Sequence, residues 1–200
     1  MKVLLQILLL LIISFFKGQN VDTLANISSK IGSQSEVRIY IGNGITNSGK
    51  VFRIYFSENK KWNAELIQWY LPKKISNDEF ELIPPIVTKL KCKVPVEKAF
   101  LNLESLNIQH LPKEEIFQYK KSKNEVVFDE DEKEYVIISQ KIGFVDGDDF
   151  LVKYKSNKKE NEFHYFNPQS YLDKHPGIDE YESFIKILNY VESNFNIKLH

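Results

Sequence analysis

One segment of the chain carries most of a phosphate-binding loop. Residues 44–50 read Gly-Ile-Thr-Asn-Ser-Gly-Lys, which matches the G-x-x-x-x-G-K part of that motif. The next residue is Val51, where the motif requires a Ser or Thr hydroxyl for magnesium. Residues 51–56 also alternate like a strand, whereas the motif opens a helix whose amides hold phosphate. We therefore predict a connection between two strands, in which Gly and Asn supply the positive φ angles that turns need.

The acidic run Asp146-Gly-Asp-Asp149 is a candidate for calcium binding. Carboxylates and backbone carbonyls at short spacing are the ligands that calcium prefers. The run lacks the spaced D-x-D-x-D-G order and the closing glutamate of a calcium loop. We therefore favour a solvated turn and assign no metal ligand.

Histidines and nucleophiles give no local catalytic signature. The chain has no H-E-x-x-H pair and no G-x-S-x-G elbow, and its histidines are far apart in sequence: His110, His164, His175 and His200. We therefore assign no catalytic residue and no cofactor. The alternative is an envelope hydrolase whose site is assembled from scattered residues, with His164, Asp146 and Glu180 as its candidates.

Aromatic residues concentrate in residues 36–71, which contain both tryptophans of the chain. Aromatic side chains on strands stack on sugars or anchor a protein partner, although they also fill cores. The candidate ligand-binding residues are Tyr40, Tyr55, Trp62, Trp69 and Tyr70. The leading hypothesis is a non-enzymatic module that binds an unidentified protein or a small ligand. A third class of function is an inhibitor or neutralising partner of another exported protein.

The same segment should form the centre of an antiparallel sheet. Period-two alternation predicts strands at 37–41, 51–56 and 62–71, and residues 57–61 predict a hairpin turn. Val37, Ile39 and Ile41 point to one face, and Arg38 and Tyr40 point to the other, which is typical of a half-buried strand. In the third strand the apolar residues occupy even-numbered positions up to Leu66 and odd-numbered positions from Ile67 onward. This change predicts a bulge near Leu66.

Further strands and two amphipathic helices complete the predicted fold. Further strands are predicted at 86–92, 126–128, 135–139, 150–154 and 162–166. A central helix should follow Pro95, and a C-terminal helix should begin with a capping box of Asp179 and Glu182. We expect one α+β domain over residues 36–200, with an antiparallel sheet of about six to eight strands packed by these two helices. Residues 20–35 are predicted to be a linker or a short helix.

The N-terminus predicts export. Met1-Lys2 precedes an apolar run at 3–16, which indicates a signal peptide over 1–19, with an uncleaved N-terminal anchor as the alternative. After cleavage we expect no membrane span. Loss of Lys2 and Lys17 reduces 27 basic residues to 25 against 27 acidic ones, and this formal charge of −2 argues against a nucleic-acid partner. The single cysteine, Cys92, is predicted to be buried on a strand rather than reactive.

About a quarter of the chain, all of it after residue 145, carries a recurrent pattern of turn and core residues. The pattern consists of 146–150, 153–155, 163–168 and 171–172, followed by Glu180 and the helix at 184–190. It resembles a recurrent arrangement in small exported proteins of Bacteroidetes-type bacteria, a group with no known activity. The resemblance implies a bacterial, exported setting and assigns no functional residue.

Overall fold

The fold is given by a computed structural model of the chain. It describes residues 20–42, 46–76, 79–141, 143–144, 146–157 and 159–199. The signal peptide predicted at 1–19 lies outside the described residues, as does part of the 44–50 motif. Among the helices of the described ranges, none combines the length and the apolar composition needed to cross a bilayer.

A six-stranded antiparallel sheet forms the centre of the protein. Its strands run in the spatial order β10-β9-β1-β2-β3-β6. Their bounds are β1 Ser35–Ile41, β2 Ser48–Phe56, β3 Trp62–Tyr70, β6 Ile86–Lys89, β9 Asp149–Ser156 and β10 Lys159–Phe166. The predicted meander of the first three strands is confirmed as the middle of the sheet, since β1 pairs with β2 and β2 with β3.

Two short hairpins stand outside this sheet. Strands β4 (Lys73–Lys74) and β5 (Phe80–Glu81) form one, and β7 (Ser122–Asp129) and β8 (Glu134–Lys141) form the other. The strands predicted at 126–128 and 135–139 therefore exist and are longer than expected, but they pair only with each other within the described part of the chain.

Five α-helices are present among the described residues. They are α1 Val21–Leu24, α2 Val96–Ser105, α3 Glu114–Phe117, α4 Pro168–Lys174 and α5 Asp179–Phe195. The predicted central helix is α2 and the predicted C-terminal helix is α5, so the α+β class is confirmed. The capping box is wrong, because the N-cap is Ile178, whose carbonyl accepts from the amides of Tyr181 and Glu182.

The larger core lies between the sheet and the helices α2 and α5. Burying these aliphatic and aromatic side chains supplies the main driving force for folding. Its sheet members include Val37, Ile39, Phe52, Ile54, Val152 and Phe163, and its helix members include Phe100, Leu103, Phe184, Leu188 and Val191. Cys92 is a free thiol that is only partly buried against this core, beyond the end of β6.

A second, smaller core lies on the opposite face of the sheet. Residues 20–27 cover that face, and Val21 and Ala25 pack there with Tyr40, Ile67 and Trp69. The prediction that β1 is half-buried is therefore wrong, since six of its seven residues are buried. The segment 20–35, predicted to be a linker or a short helix, thus contains the short helix α1 and contributes to this core.

This second core also explains the parity change in β3. Ala64 and Leu66 face the larger core, whereas Ile67 and Trp69 face the smaller one. The pairing of β2 with β3 keeps one register from Ser48 opposite Tyr70 to Phe56 opposite Trp62. The predicted bulge near Leu66 is therefore wrong. A strand that is buried on both faces carries apolar residues at even-numbered and odd-numbered positions without a bulge.

Gly49, from the phosphate-loop-like motif, lies in β2 directly opposite Trp69. A Cβ atom there would lie 2.6 Å from the indole ring and would also collide with the carbonyl oxygen of Ile41. The Lys50 ammonium donates to the carbonyl of Lys198 over 3.0 Å. Strand β2 therefore begins inside the motif, at Ser48. The prediction that glycine supplies a positive φ in a turn is wrong for Gly49, which lies in the strand without a positive φ and accommodates a buried tryptophan.

Replacing Gly49 by alanine should destabilise the protein. Because backbone and the Trp69 ring both occupy the space that the methyl group needs, we expect a loss of about 1–3 kcal/mol in the free energy of unfolding. Denaturant unfolding measures this loss. Gly32→Ala is the matched control, because a Cβ at Gly32 meets nothing within 4 Å. Equal stability of the two variants would contradict this account of Gly49.

Candidate functional site

The structure separates the five predicted aromatic residues. Tyr40 and Trp69 are almost completely buried, at 1% and 0% exposure, in the smaller core. They are therefore unavailable to a ligand, because residues 20–27 cover the sheet face on which they lie. Trp62 lies on the other face, where it packs against Phe100 with ring centroids 4.8 Å apart.

Tyr55 is the predicted residue that reaches an open cleft. The cleft has a volume of about 730 Å³ and lies between the segment 26–34 and the turn 57–60. Arg38 and Arg53 form part of its floor, and Phe56 and Lys60 line its wall. Tyr70 is partly buried at the far end of β3 and does not line this cleft. The five residues therefore do not form one contiguous surface.

A buried carboxylate holds the floor of the cleft in place. Glu36 is fully buried, and its carboxylate accepts hydrogen bonds from Arg38 Nε at 2.5 Å and from Arg53 Nε at 2.6 Å. Arg53 Nη2 adds a second bond to the same carboxylate at 3.2 Å, and the Ser33 hydroxyl donates another at 2.7 Å. Charge-assisted bonds of this kind are the stronger ones in proteins.

The sheet register explains why this carboxylate is needed. Arg38 lies directly opposite Arg53 on one side and opposite Lys153 on the other, so three cations are neighbours on three strands. Like charges that face each other across strands are destabilising. Glu36 compensates the two arginines, and Glu65 accepts a further bond from Arg53 Nη1 at 3.1 Å.

The N-terminal segment completes this charge balance. Asp22, in α1, accepts hydrogen bonds from Lys153 Nζ at 2.9 Å and from the Tyr40 hydroxyl at 2.6 Å. The carbonyl of Ser28 accepts a bond of 2.5 Å from Arg38. The buried charged groups therefore have partners, as groups removed from water require.

Arg53 and Tyr55 form the most ligand-accessible pair in the cleft. The guanidinium carbon of Arg53 lies 3.9 Å above the centroid of the Tyr55 ring, and 19% of the Arg53 side chain is exposed. Three of the five Arg53 N–H groups donate to Glu36 and Glu65, so the two others remain for a ligand. Burial raises the pKa of Tyr55, so its hydroxyl stays neutral near pH 7. The pair can therefore orient a small anionic or polar ligand.

Sequence reasoning missed the charged floor. It placed Arg38 on the open side of a half-buried strand and assigned no role to Glu36, Arg53 or Glu65. A signal was present, because Glu36 and Arg38 share one face of β1 and Arg53 has the same parity as Tyr55 on the neighbouring strand. Charged residues on adjacent strands of a strongly apolar sheet indicate a buried ionic cluster when both faces are covered.

The candidates for an assembled hydrolase site have separate partners. His164 forms an ion pair with Asp149, and Lys120 donates to the Glu180 carboxylate at 2.8 and 2.9 Å. The carbonyl of Asp146 accepts a bond of 2.7 Å from the Asn167 amide. The contacts of these three residues do not join them into one catalytic arrangement.

The acidic turn at 146–149 packs against Asn167. Gly147 has a φ of 148°, and a Cβ at this position would collide with the Asn167 side chain. The backbone N–H of Asn167 donates to the carbonyl of Asp148 over 2.8 Å. Within the described ranges, no group of three or more His, Cys, Asp or Glu residues is arranged to hold a metal ion.

Replacing Glu36 by glutamine should destabilise the protein strongly. A neutral amide leaves two arginines uncompensated, and the loss of one partner from a buried pair costs about 3–5 kcal/mol. Denaturant unfolding at pH 7 measures the loss. Glu58→Gln, in the exposed turn that lines the same cleft, is the control and should change the stability by less than about 0.5 kcal/mol.

The loss of folding stability caused by Glu36→Gln should also depend on pH. Burial opposes ionisation of Glu36, but hydrogen bonds from Arg53 and the charges of both arginines hold its pKa below the ordinary value of 4.5. A lowered pKa contributes stability above pH 4.5, and this contribution disappears as the pH falls through the folded-state pKa. The difference between wild type and variant should therefore shrink in acid, and a constant difference would contradict the charged role of Glu36.

A nuclear magnetic resonance titration should find a raised pKa for His164. The hydrogen bond and charge of Asp149 favour the imidazolium and raise the pKa of His164 above 6.5. Because the folded-state pKa is raised, this pair stabilises the fold below pH 6.5 and loses that effect as the pH rises through the folded-state pKa. Asp149→Asn should lower the His164 pKa, whereas Asp148→Asn should leave it almost unchanged.

Comparison of the chain with protein-family models, with curated protein sequences and with solved structures finds no match. The functional inference therefore rests on the geometry of the described residues.

Proposed function

We propose that this chain is an exported, non-enzymatic binding module. Its ligand is a small organic anion that carries a carboxylate, and it binds in the cleft between the segment 26–34 and the turn 57–60. The observation that carries this proposal is the Arg53 guanidinium, which is stacked 3.9 Å above Tyr55 at the floor of a cleft of about 730 Å³.

The charges on the cleft wall favour an anion. Arg38, Arg53 and Lys60 line the cleft, and Glu58 is the carboxylate among the lining residues. Glu36 and Glu65 neutralise much of the arginine charge from below. Lys60 adds a positive charge that forms no ion pair with a carboxylate of the described residues. The remaining N–H donors of Arg53 and the Lys60 ammonium line the same cleft, and such groups bind the oxygens of a carboxylate.

The size and the aromatic groups of the cleft favour a ring-shaped ligand. A volume of about 730 Å³ lies within the range of roughly 300–1,000 Å³ that is usual for small-molecule sites. Tyr55 and Phe56 offer apolar surface on which a sugar ring can stack. A uronic acid combines such a ring with a carboxylate, and it therefore represents the proposed ligand class.

Export of the mature protein is the second part of the proposal. It is supported by the charged start and the apolar run of residues 3–16, and by the resemblance to exported bacterial proteins. Asp22 belongs to the buried charge network, so cleavage has to leave Asp22 in the mature chain. Mass spectrometry of the exported protein should therefore find an N-terminus at or before Asp22. An N-terminus beyond Asp22 would contradict this assignment.

Calorimetric titration with glucuronate and with glucose tests the ligand class. We expect glucuronate to bind with a dissociation constant in the millimolar range or below, and we expect no heat of binding with glucose at equal concentration. Lys60→Gln should weaken glucuronate binding about fivefold, which corresponds to about 1 kcal/mol for one solvent-accessible ion pair. Lys61→Gln is the matched control, because the neighbouring lysine is exposed and does not line the cleft.

Two results would contradict the proposal. The first is the absence of glucuronate binding at about 10 mM by a protein that unfolds cooperatively. The second is turnover in a broad hydrolase screen of the purified protein, which would contradict its non-enzymatic character.

A further inference from the structure

The β7–β8 hairpin has two unpaired edges and apolar side chains on both faces. Val126 pairs with Ile137 and Phe128 with Tyr135, so these four residues share one face. The pair Val127 and Val136 belongs to the other face, together with Ile138. In the described part of the chain, neither outer edge pairs with another strand. Isolated two-stranded hairpins are marginally stable in water, and unpaired apolar edges are templates for strand addition.

The exposed apolar surface is concentrated on β8. Tyr135 is 76% exposed, Ile137 is 72% exposed and Ile138 is 47% exposed. Val126 and Phe128 add exposed surface from β7. Contiguous apolar surface of this kind marks interaction sites, whereas single exposed apolar residues need no explanation.

The base of the hairpin is fixed to the body of the protein. Lys121 is buried and forms an ion pair with Glu114, and its ammonium lies 4.2 Å from the centroid of the Tyr171 ring. The neighbouring Lys120 bonds to the Glu180 carboxylate at 2.8 Å. The hairpin therefore extends from an anchored base, and its apolar residues are presented to a partner.

A twofold rotation brings opposite charges of two copies of the hairpin next to each other. Its turn, residues 129–134, contains five acidic residues and one lysine, and Glu134 begins β8. Lys123 lies near the start of β7, and Lys141 ends β8. When two copies of β8 run antiparallel, the acidic turn of each hairpin lies beside the basic end of the other. A heterologous partner would have no reason to match this pattern.

We propose that the partner of this hairpin is a second copy of the chain. Two β8 edges pair in antiparallel fashion across a twofold axis and form a four-stranded sheet, in which Glu134 of each copy lies near Lys141 of the other. The same surface is used by both copies, which is the rule for closed dimers. The pairing supplies main-chain hydrogen bonds to the open β8 edge of each copy and places its apolar side chains beside those of the partner strand.

Sedimentation equilibrium of the purified full chain tests this dimer. Mass spectrometry first establishes its N-terminal form. We expect a mass close to twice that of one chain at about 100 µM, and weaker association when the salt concentration rises from about 0.05 to 0.5 M, because exposed charge pairs are screened. Ile137→Lys should raise the dissociation constant at least tenfold. Ile116→Lys is the matched control, because Ile116 is a similarly exposed isoleucine, at 67%, outside the hairpin.

A charge exchange identifies the geometry of the dimer. Glu134→Lys alone and Lys141→Glu alone should each weaken association, because each places like charges together. The double variant should restore the association of the wild type. Both positions are exposed, and near-ultraviolet circular dichroism checks that every variant keeps the folded core.

Three results would overturn the proposal. They are a monomer at about 100 µM, equal association of the Ile137→Lys and Ile116→Lys variants, and failure of the charge-exchanged double variant to associate better than the single variants. Stoichiometric binding of a different protein to the hairpin of a monomeric chain would also overturn it.

Discussion

The buried bond between Glu36 and the two arginines is the interaction on which the rest of the structure depends. Sheet register places Lys153, Arg38 and Arg53 side by side on β9, β1 and β2. Three adjacent cations that are largely removed from water require compensation within the protein. Glu36 provides it from within the sheet, since it accepts bonds from both arginines. The observed register of the central strands brings these four groups together.

The same charges explain why the N-terminal segment is part of the fold. Asp22 binds Lys153 and Tyr40, and the Ser28 carbonyl binds Arg38, so residues 20–34 are held against a sheet face that would otherwise be open. The segment closes the charged centre of this face and leaves a gap over Arg53 and Tyr55. The candidate cleft is this gap. Its floor is rigid because each arginine is held by several bonds, and a rigid floor lowers the entropic cost of ordering side chains around a ligand.

The two proposed interaction surfaces belong to structurally different parts of the protein. The cleft is built on the central sheet, where neighbouring strands and two cores fix each side chain. The β7–β8 hairpin is anchored at its base by Lys120 and Lys121 and projects its apolar residues outward. A ligand in the cleft and a second copy at the hairpin therefore engage different elements, and a variant at one surface leaves the contacts of the other in place.

The aromatic residues predicted from sequence to bind a ligand differ in their exposure, and one limit of sequence patterns explains the difference. Tyr55 lines an open cleft, whereas Tyr40 and Trp69 are buried, although each of the three lies on a predicted strand of the central meander. Alternation reports which residues share a face, but it does not report what covers that face. Gly49 shows the same limit, since its requirement for glycine comes from a tryptophan that lies twenty residues away in sequence and directly opposite in the sheet.

Local sequence patterns by themselves determined the α+β class, the central meander, the hairpin at 57–61 and the helices α2 and α5. These features depend on periodicity, turn residues and helix-compatible spacing, which are properties of contiguous residues. Only the tertiary structure decided that both sheet faces are covered, that β3 needs no bulge, that Arg53 and Tyr55 meet at a cleft, and that β7 and β8 stand apart from the main sheet. Each of these depends on which distant segment packs against a given face or edge. That choice is made by the whole set of buried contacts and charges, so no single stretch of the chain contains it.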